Sequence, residues 1–231
     1  MIKRFLLGIL SIVIILCCSL VRYNYKVSVP AQADISDKKI IIIDAGHGGF
    51  DGGAVADDGT VEKDINLNIA LTLGEMLSFH GYEVIYTRTE DTGTEDNSDA
   101  AIANRKKSDL TNRLNLMKQY PSSIYVSVHL NKFTSGSANG AQVFYSPSFD
   151  KAKTISLSIQ NSIKTILQPE NERVIKQGTK STYLLYNAYT PCIIVECGFL
   201  SNAEELQKLK NTEYQKQMAF SIFDGIIKSY V

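Results

Sequence analysis

Tryptophan is absent from the 231-residue chain, and it holds only three histidines and four cysteines. Without tryptophan there is no indole platform for stacking sugars; the 12 tyrosines are the residues left for that task. An excess of one charge is also missing, because 24 basic residues balance 24 acidic ones. Nucleic acid is therefore not an expected partner, since phosphate-binding surfaces usually carry a basic surplus. The cysteines (Cys17, Cys18, Cys192 and Cys197) form no C-x-x-C pair and no framework spacing. That pattern argues against a zinc knuckle and a disulfide scaffold. Cys192 and Cys197 share one apolar stretch that reads as a buried strand. Their odd separation puts them on opposite faces, about 16 Å apart, beyond the roughly 7 Å a disulfide tolerates. They read as small core residues. No G-x-S-x-G occurs, so a serine esterase would lack its nucleophile turn despite His47-Gly-Gly.

The N-terminus reads as an export or anchoring segment. Lys3 and Arg4 precede an apolar run of 17 residues, Phe5 to Val21. That length sits at the lower edge of a membrane span. An uncleaved anchor over residues 1–21 is favoured over a cleaved signal, because Ala31-Gln32-Ala33 lies too far along. A lipoprotein is disfavoured, because Leu16 and Cys17 are poor residues to precede a lipidated cysteine. Each reading places the remainder outside the cytoplasm. Residues 22–37 are polar and aperiodic, as in a linker, and 38–231 form the expected single catalytic domain.

Within that domain apolar runs alternate with helical periodicity. Strands are expected at Lys39–Ile43, Tyr82–Thr87, Ile124–Val128, Gly140–Ser146, Thr182–Tyr186 and Cys192–Cys197. Helices are expected from Glu62 to about His80, over Leu110–Lys118, Phe149–Leu167 and Glu213–Tyr230. Thr60 could cap the first helix and Gly81 end it. The fold class that follows is α/β, with a central, mostly parallel sheet flanked by helices on both faces.

Ligands of such sheets bind beyond the carboxyl ends of the strands. Asp44 and His47 follow the first strand, His129 the third, and Glu196 lies near the end of a later one. Two histidines and the carboxylate of Glu62 make a three-donor set of the kind that holds a catalytic zinc. By position alone each also has a structural reading: a lone histidine is usually structural, and Glu62 is a favourable helix-start charge. His80, ahead of Gly81 at a helix C-terminus, reads as structural. Glu196 stands inside an apolar strand, where a carboxylate is costly without a partner or a task. It reads as a buried ion pair or as a general base with a raised pKa.

Four blocks occur in order: Asp44-Ala-Gly-His47-Gly-Gly, Glu62-Lys-Asp-Ile-Asn-Leu67, Ser127-Val-His129-Leu-Asn131 and Val195-Glu196-Cys-Gly-Phe199-Leu-Ser-Asn202. Together, over about residues 39–228, they resemble the zinc N-acetylmuramoyl-L-alanine amidases of the amidase-3 type. The resemblance implies one Zn2+ held by His47, Glu62 and His129, with Glu196 as the catalytic glutamate. Asn131 is a candidate for substrate positioning, with an equally good reading as a turn residue. Leu130 and Cys197 stand where relatives commonly carry smaller residues, which raises the question of cleft width. The implied reaction cleaves the amide between the lactyl group of N-acetylmuramic acid and L-alanine in peptidoglycan. The short, single-domain layout is most similar to the spore-cortex branch of the family; division and autolytic roles are the alternatives. A membrane-tethered accessory protein is an expected partner, because the chain has no room for a wall-binding module. A zinc peptidase, a sugar deacetylase and a non-catalytic wall-binding protein are the rival readings. The intact set of three ligands and a base speaks against the last.

Overall fold

Four consecutive isoleucines, Ile40 to Ile43, suit a strand covered on both sides, and they form most of β1 (Ile40–Ala45). A computed structural model describes residues 39–230; the expected membrane segment 1–21 and linker 22–37 lie outside the described residues. Among the described residues no helix is long and apolar enough to cross a membrane.

After β1 come α1 (Glu62–Phe79), β2 (Glu83–Tyr86), α2 (Ile102–Gln119), β3 (Ile124–Asn131), β4 (Gln142–Tyr145) and α3 (Asp150–Ile166). The chain continues through β5 (Lys176–Gln177), α4 (Tyr183–Tyr186), β6 (Cys192–Phe199), α5 (Ala203–Lys210) and α6 (Thr212–Lys228). The strands form one sheet in the order β2-β1-β3-β6-β4-β5. β2, β1, β3 and β6 are parallel, and β4 is antiparallel to β6. Ile41, Ile43, Val126, Val128, Ile193 and Val195 face a core shared with α1, α3, α5 and α6. Ile42, Tyr125 and Cys192 face a second core under α2 and α4. The expected parallel sheet with helices on both faces is present, and burial on both sides is why its strands lack polar alternation.

Several elements differ from expectation, each for a local reason. The stretch 182–186 is the single helical turn α4, not a strand. Its neighbours Leu184 and Leu185 both enter the second core, whereas a strand would send them to opposite faces. α2 begins at Ile102 rather than Leu110; its first turns are mostly polar and exposed, so they carry no apolar stripe. α5 was not expected; Asn202 caps it by accepting from the amides of Glu204 and Glu205. Nor was the two-residue β5, which pairs with β4. Thr60 does not cap α1. The N-cap is Val61 without a side-chain bond, and the amides of Glu62 and Lys63 donate instead to the carbonyls of Ala54 (2.9 Å) and Gly52 (3.2 Å). Gly81 does end that helix, at φ 86°. His80 just before it packs its ring edge-on against Phe223, at 4.6 Å between centroids.

α3 and α6 pack unusually close at Gly225. A Cβ there would stand 2.4 Å from the Ile159 Cα and 2.8 Å from its nitrogen, both backbone atoms. Alanine normally stabilises a helix by about 1 kcal/mol over glycine. Here the helices would have to separate, which costs about 1–3 kcal/mol, so the clash wins. Gly225→Ala is expected to lower the urea unfolding midpoint; a midpoint that rose would contradict the close packing.

Candidate active site

The parallel strands end at one edge, and the polar residues expected there converge on it. β1 runs into the loop 46–61. His47 opens that loop at φ 62°, the one non-glycine residue with positive φ among the described residues. This conformation is costly for histidine and is held from outside: Arg113 of α2 donates to the His47 carbonyl at 2.9 Å. The loop then wraps the start of α1 and supplies the carbonyls that its first amides need. Glu62 is consequently fixed against the loop that carries His47. Its Oε2 accepts from the Ala54 amide at 2.8 Å, and its Oε1 from Leu130 N (2.9 Å) and Asn66 Nδ2 (3.1 Å). His129 comes from β3, and Glu196 is its register partner on β6, one strand spacing (about 4.8 Å) away. The β3–β6 pairing shifts between His129 and Asn131, an irregularity typical of strand ends beside a site.

Donor atoms of His47, Glu62 and His129 all lie within 4.8 Å of one another. Glu62 Oε1 is 3.3 Å from His47 Nε2 and 3.1 Å from His129 Nδ1. Ligands about 2.1 Å from a common tetrahedral ion stand about 3.4 Å apart, so the cluster fits a single metal ion with little rearrangement. Two glycines leave the space. A Cβ on Gly46 would lie 2.3 Å from the His129 ring, and one on Gly53 would lie 2.6 Å from Glu62 Oε2 and 2.7 Å from the His47 ring. Beyond the donors, Asp51 Oδ2 is 3.0 Å from His47 Nδ1, the kind of partner that orients a ligating imidazole.

Electrostatics favour a cation among these groups. Burial pushes the His47 imidazole down, but hydrogen bonds to Asp51 and Glu62 win and hold its pKa at about 9. Burial likewise raises Glu62, and the two histidines overcome it, keeping the carboxylate ionised well below its usual range. Asp51 is held low mainly by its bond to His47. Glu196 goes the other way: burial lifts its pKa, opposed by His129 and His47 and reinforced by Glu62. Its Oε2 is buried without a hydrogen-bond partner. A carboxyl with one buried, unpartnered oxygen and a raised pKa beside a three-donor cluster is suited to accept and return a proton.

A cleft of about 250 Å³ opens beside the cluster, lined by His47, His129, Asp51, Lys106 and Leu184 among others. Its buried floor is an ion pair between Arg113 and Asp44. Asp44 also accepts from Thr87 and Ser127, so one carboxylate ties β1, β3 and α2 together. Asn131 ends β3, with its carbonyl accepting from Leu200 N at 2.8 Å. Leu130 and Cys197 point their side chains into the first core, away from the cleft. Asp51, Asn66, Arg88 and Arg113 are not among the site residues expected from the sequence. For Asn66 a signal existed, since it lies one turn after Glu62 on α1.

Comparison with known proteins places these features in one family. Residues 41–228 match the family model Amidase_3, N-acetylmuramoyl-L-alanine amidase. The chain is 35% identical over 192 residues to the germination-specific N-acetylmuramoyl-L-alanine amidase of Bacillus subtilis, covering 83% of this chain and 80% of that protein. The CwlD amidase of Clostridioides difficile, solved in complex with the GerS lipoprotein, superimposes with a TM-score of 0.79 at 37% identity, covering 84% of this chain and 98% of that one. An N-acetylmuramoyl-L-alanine amidase of Clostridium difficile 630 gives a TM-score of 0.71 at 29% identity, over 83% and 96% of the two chains. With its four motif blocks gathered at one sheet edge and the family model spanning nearly all of the described residues, the chain belongs to the Amidase_3 family of N-acetylmuramoyl-L-alanine amidases.

Proposed function

We propose that this N-acetylmuramoyl-L-alanine amidase holds one zinc ion on His47, Glu62 and His129, uses Glu196 to move the proton, and acts on spore-cortex peptidoglycan. The observation that carries the site assignment is the spacing of the three donors, all within 4.8 Å, next to the unpartnered carboxyl of Glu196. Zinc bound there would polarise the scissile carbonyl and make a water more acidic.

The chain's own residues account for the rest. Glu196 takes a proton from the attacking water as its oxygen bonds to the lactyl carbonyl carbon. The carbon–nitrogen bond to L-alanine then breaks, and Glu196 returns that proton to the departing nitrogen. The products are a lactyl carboxyl group and a free stem-peptide amine. Asp51 keeps the His47 ring in place, and Asn66 does the same for the Glu62 carboxylate. Asn131, at the end of β3, helps to position the substrate.

The germination-specific relative and the CwlD neighbour support the cortex role over division or autolysis. The lipoprotein in the CwlD complex supports a membrane-tethered accessory protein for this chain too. Residues 1–21 serve as the anchor, 22–37 as the linker, and the domain works outside the cytoplasm.

Digestion of cortex and vegetative peptidoglycan by the purified chain, with and without added zinc, tests these assignments. The expected products, seen by mass spectrometry, are free stem peptides beginning at L-alanine and unsubstituted muramic acid, formed faster from cortex and only with zinc. Cleavage inside the peptide or loss of acetyl groups would instead mean a peptidase or a deacetylase. Full activity and stoichiometric zinc in the chain alone would remove the need for an accessory protein.

A further inference from the structure

Arg88 is a buried cation with no part in the proton transfers. It follows β2 and is only 5% exposed. Its guanidinium donates to four backbone carbonyls: Nε to Ala45 at 2.9 Å, Nη1 to Glu90 at 3.0 Å, and Nη2 to Gly46 at 3.1 Å and Lys63 at 2.8 Å. A buried charge costs several kcal/mol unless it is well compensated, and here nearby Arg113 adds repulsion. A cation kept in such a place needs a reason.

The identity of the acceptors supplies one. Ala45 and Gly46 immediately precede His47, and Lys63 immediately follows Glu62. Gly46 is itself a junction. Its amide donates to the Val128 carbonyl at 3.0 Å, next to His129, and its carbonyl also accepts from Asn66, which bonds Glu62. One planar fork therefore joins the segments that bear His47 and Glu62 and touches Gly46, which abuts the His129 ring. The loop also packs on the arginine stem: a Cβ on Gly48 would stand 2.8 Å from the Arg88 Cδ.

We propose that Arg88 is a positioning residue for the metal centre, locking the His47 loop to the first turn of α1 so that the donors keep their spacing. The proposal rests on the zinc reading of His47, Glu62 and His129. Arginine is required because its five N–H groups point in fixed directions on both sides of the fork, whereas a lysine ammonium is a single point on a flexible stem.

The test is zinc affinity of the full-length chain, measured by competition with a chromogenic chelator. Arg88→Lys keeps the charge and most of the packing. It is expected to bind zinc about 10–100-fold more weakly, the usual cost of losing a residue that orients ligands. Its kcat should return toward wild type at saturating zinc, which a general loss of fold would not permit. His129→Ala is the control. If it loses zinc while Arg88→Lys binds normally, the positioning role is wrong and the site stands. If His129→Ala itself binds zinc as the wild type does, the zinc reading beneath the proposal fails. A second measurement needs no variant: the Arg88 Nε–H resonance of the wild-type chain should shift when zinc is withdrawn. A resonance that ignores zinc would overturn the role.

Discussion

Glu196→Ala is expected to lower kcat by about 10²–10⁴-fold, the range for a lost general acid–base group, while zinc stays bound. The two effects separate because of where Glu196 sits. It is the register neighbour of His129 but makes no bond to the three-donor cluster, and its Oε2 has no partner at all. Removing it would take away the proposed proton acceptor without disturbing Glu62, whose oxygens are held by Ala54, Leu130 and Asn66. Turnover on purified peptidoglycan and metal content of the same preparation are the two readings. Wild-type turnover in the variant would take the proton-transfer role from Glu196. Loss of zinc along with activity would make it part of the metal set instead.

The second large effect is on stability. Asp44→Ala should cost about 3–5 kcal/mol, the typical penalty for leaving one partner of a buried pair uncompensated. Asp44 is 0% exposed and Arg113 2%. Arg113 would keep Asp109 as a partner at 2.7 Å, which sets the expectation at the lower end of that range. Burial works to raise the Asp44 pKa, but Arg113, the Ser127 hydroxyl, the nearby His129 and the Thr87 hydroxyl overcome it and leave the carboxyl below its ordinary value. The sign for pH follows. The unfolded chain takes up this proton first, so the stabilisation is present above the ordinary carboxylate pKa and is lost as pH falls through the lower folded value. Asp44→Asn should therefore flatten the acid limb of the stability–pH curve measured by urea unfolding. A wild-type acid limb in that variant would mean that Asp44 carries no such coupling. Because Arg113 also holds the His47 carbonyl, zinc affinity should fall in the alanine variant as well.

What could be seen in the sequence tracks how local each cause is. The isoleucine run of β1 and the apolar stripe of α1 declare themselves through periodicity, and both elements lie where that reading puts them. The start of α2 carries no stripe because solvent covers it. The Thr182–Tyr186 stretch misleads because two tyrosines and a threonine favour strands in general, while the shape of the second core decides this case. At the site, His47, Glu62, His129 and Glu196 stood out through ordered motifs. Their supporting residues did not. Arg88 and Arg113 acquire meaning only when the chain folds, bringing partners more than 40 positions apart into contact; Asp51 is only four positions from His47, but the loop between them has no periodicity to show that they meet. Nor could sequence show that the cap of α1 is the loop that carries His47, because backbone carbonyls leave no residue signature.

The alternation of β6 has a chemical consequence. Glu196 and Cys197 are adjacent, yet the carboxyl shares the edge with His129 while the thiol points into the opposite core. Thiolate is the softer donor and one that zinc accepts readily. A slip of one residue in this strand would swap the two side chains between faces, offering the proposed zinc a fourth protein ligand in place of the proposed proton shuttle. Four protein ligands describe a closed, structural zinc site; three with an open position describe a hydrolytic one. Burial, which raises the Cys197 pKa well above that of a free thiol, further withholds the thiolate. The pairing of β6 with β3 and β4 thus keeps a carboxyl, and not a thiol, at the edge shared with His129.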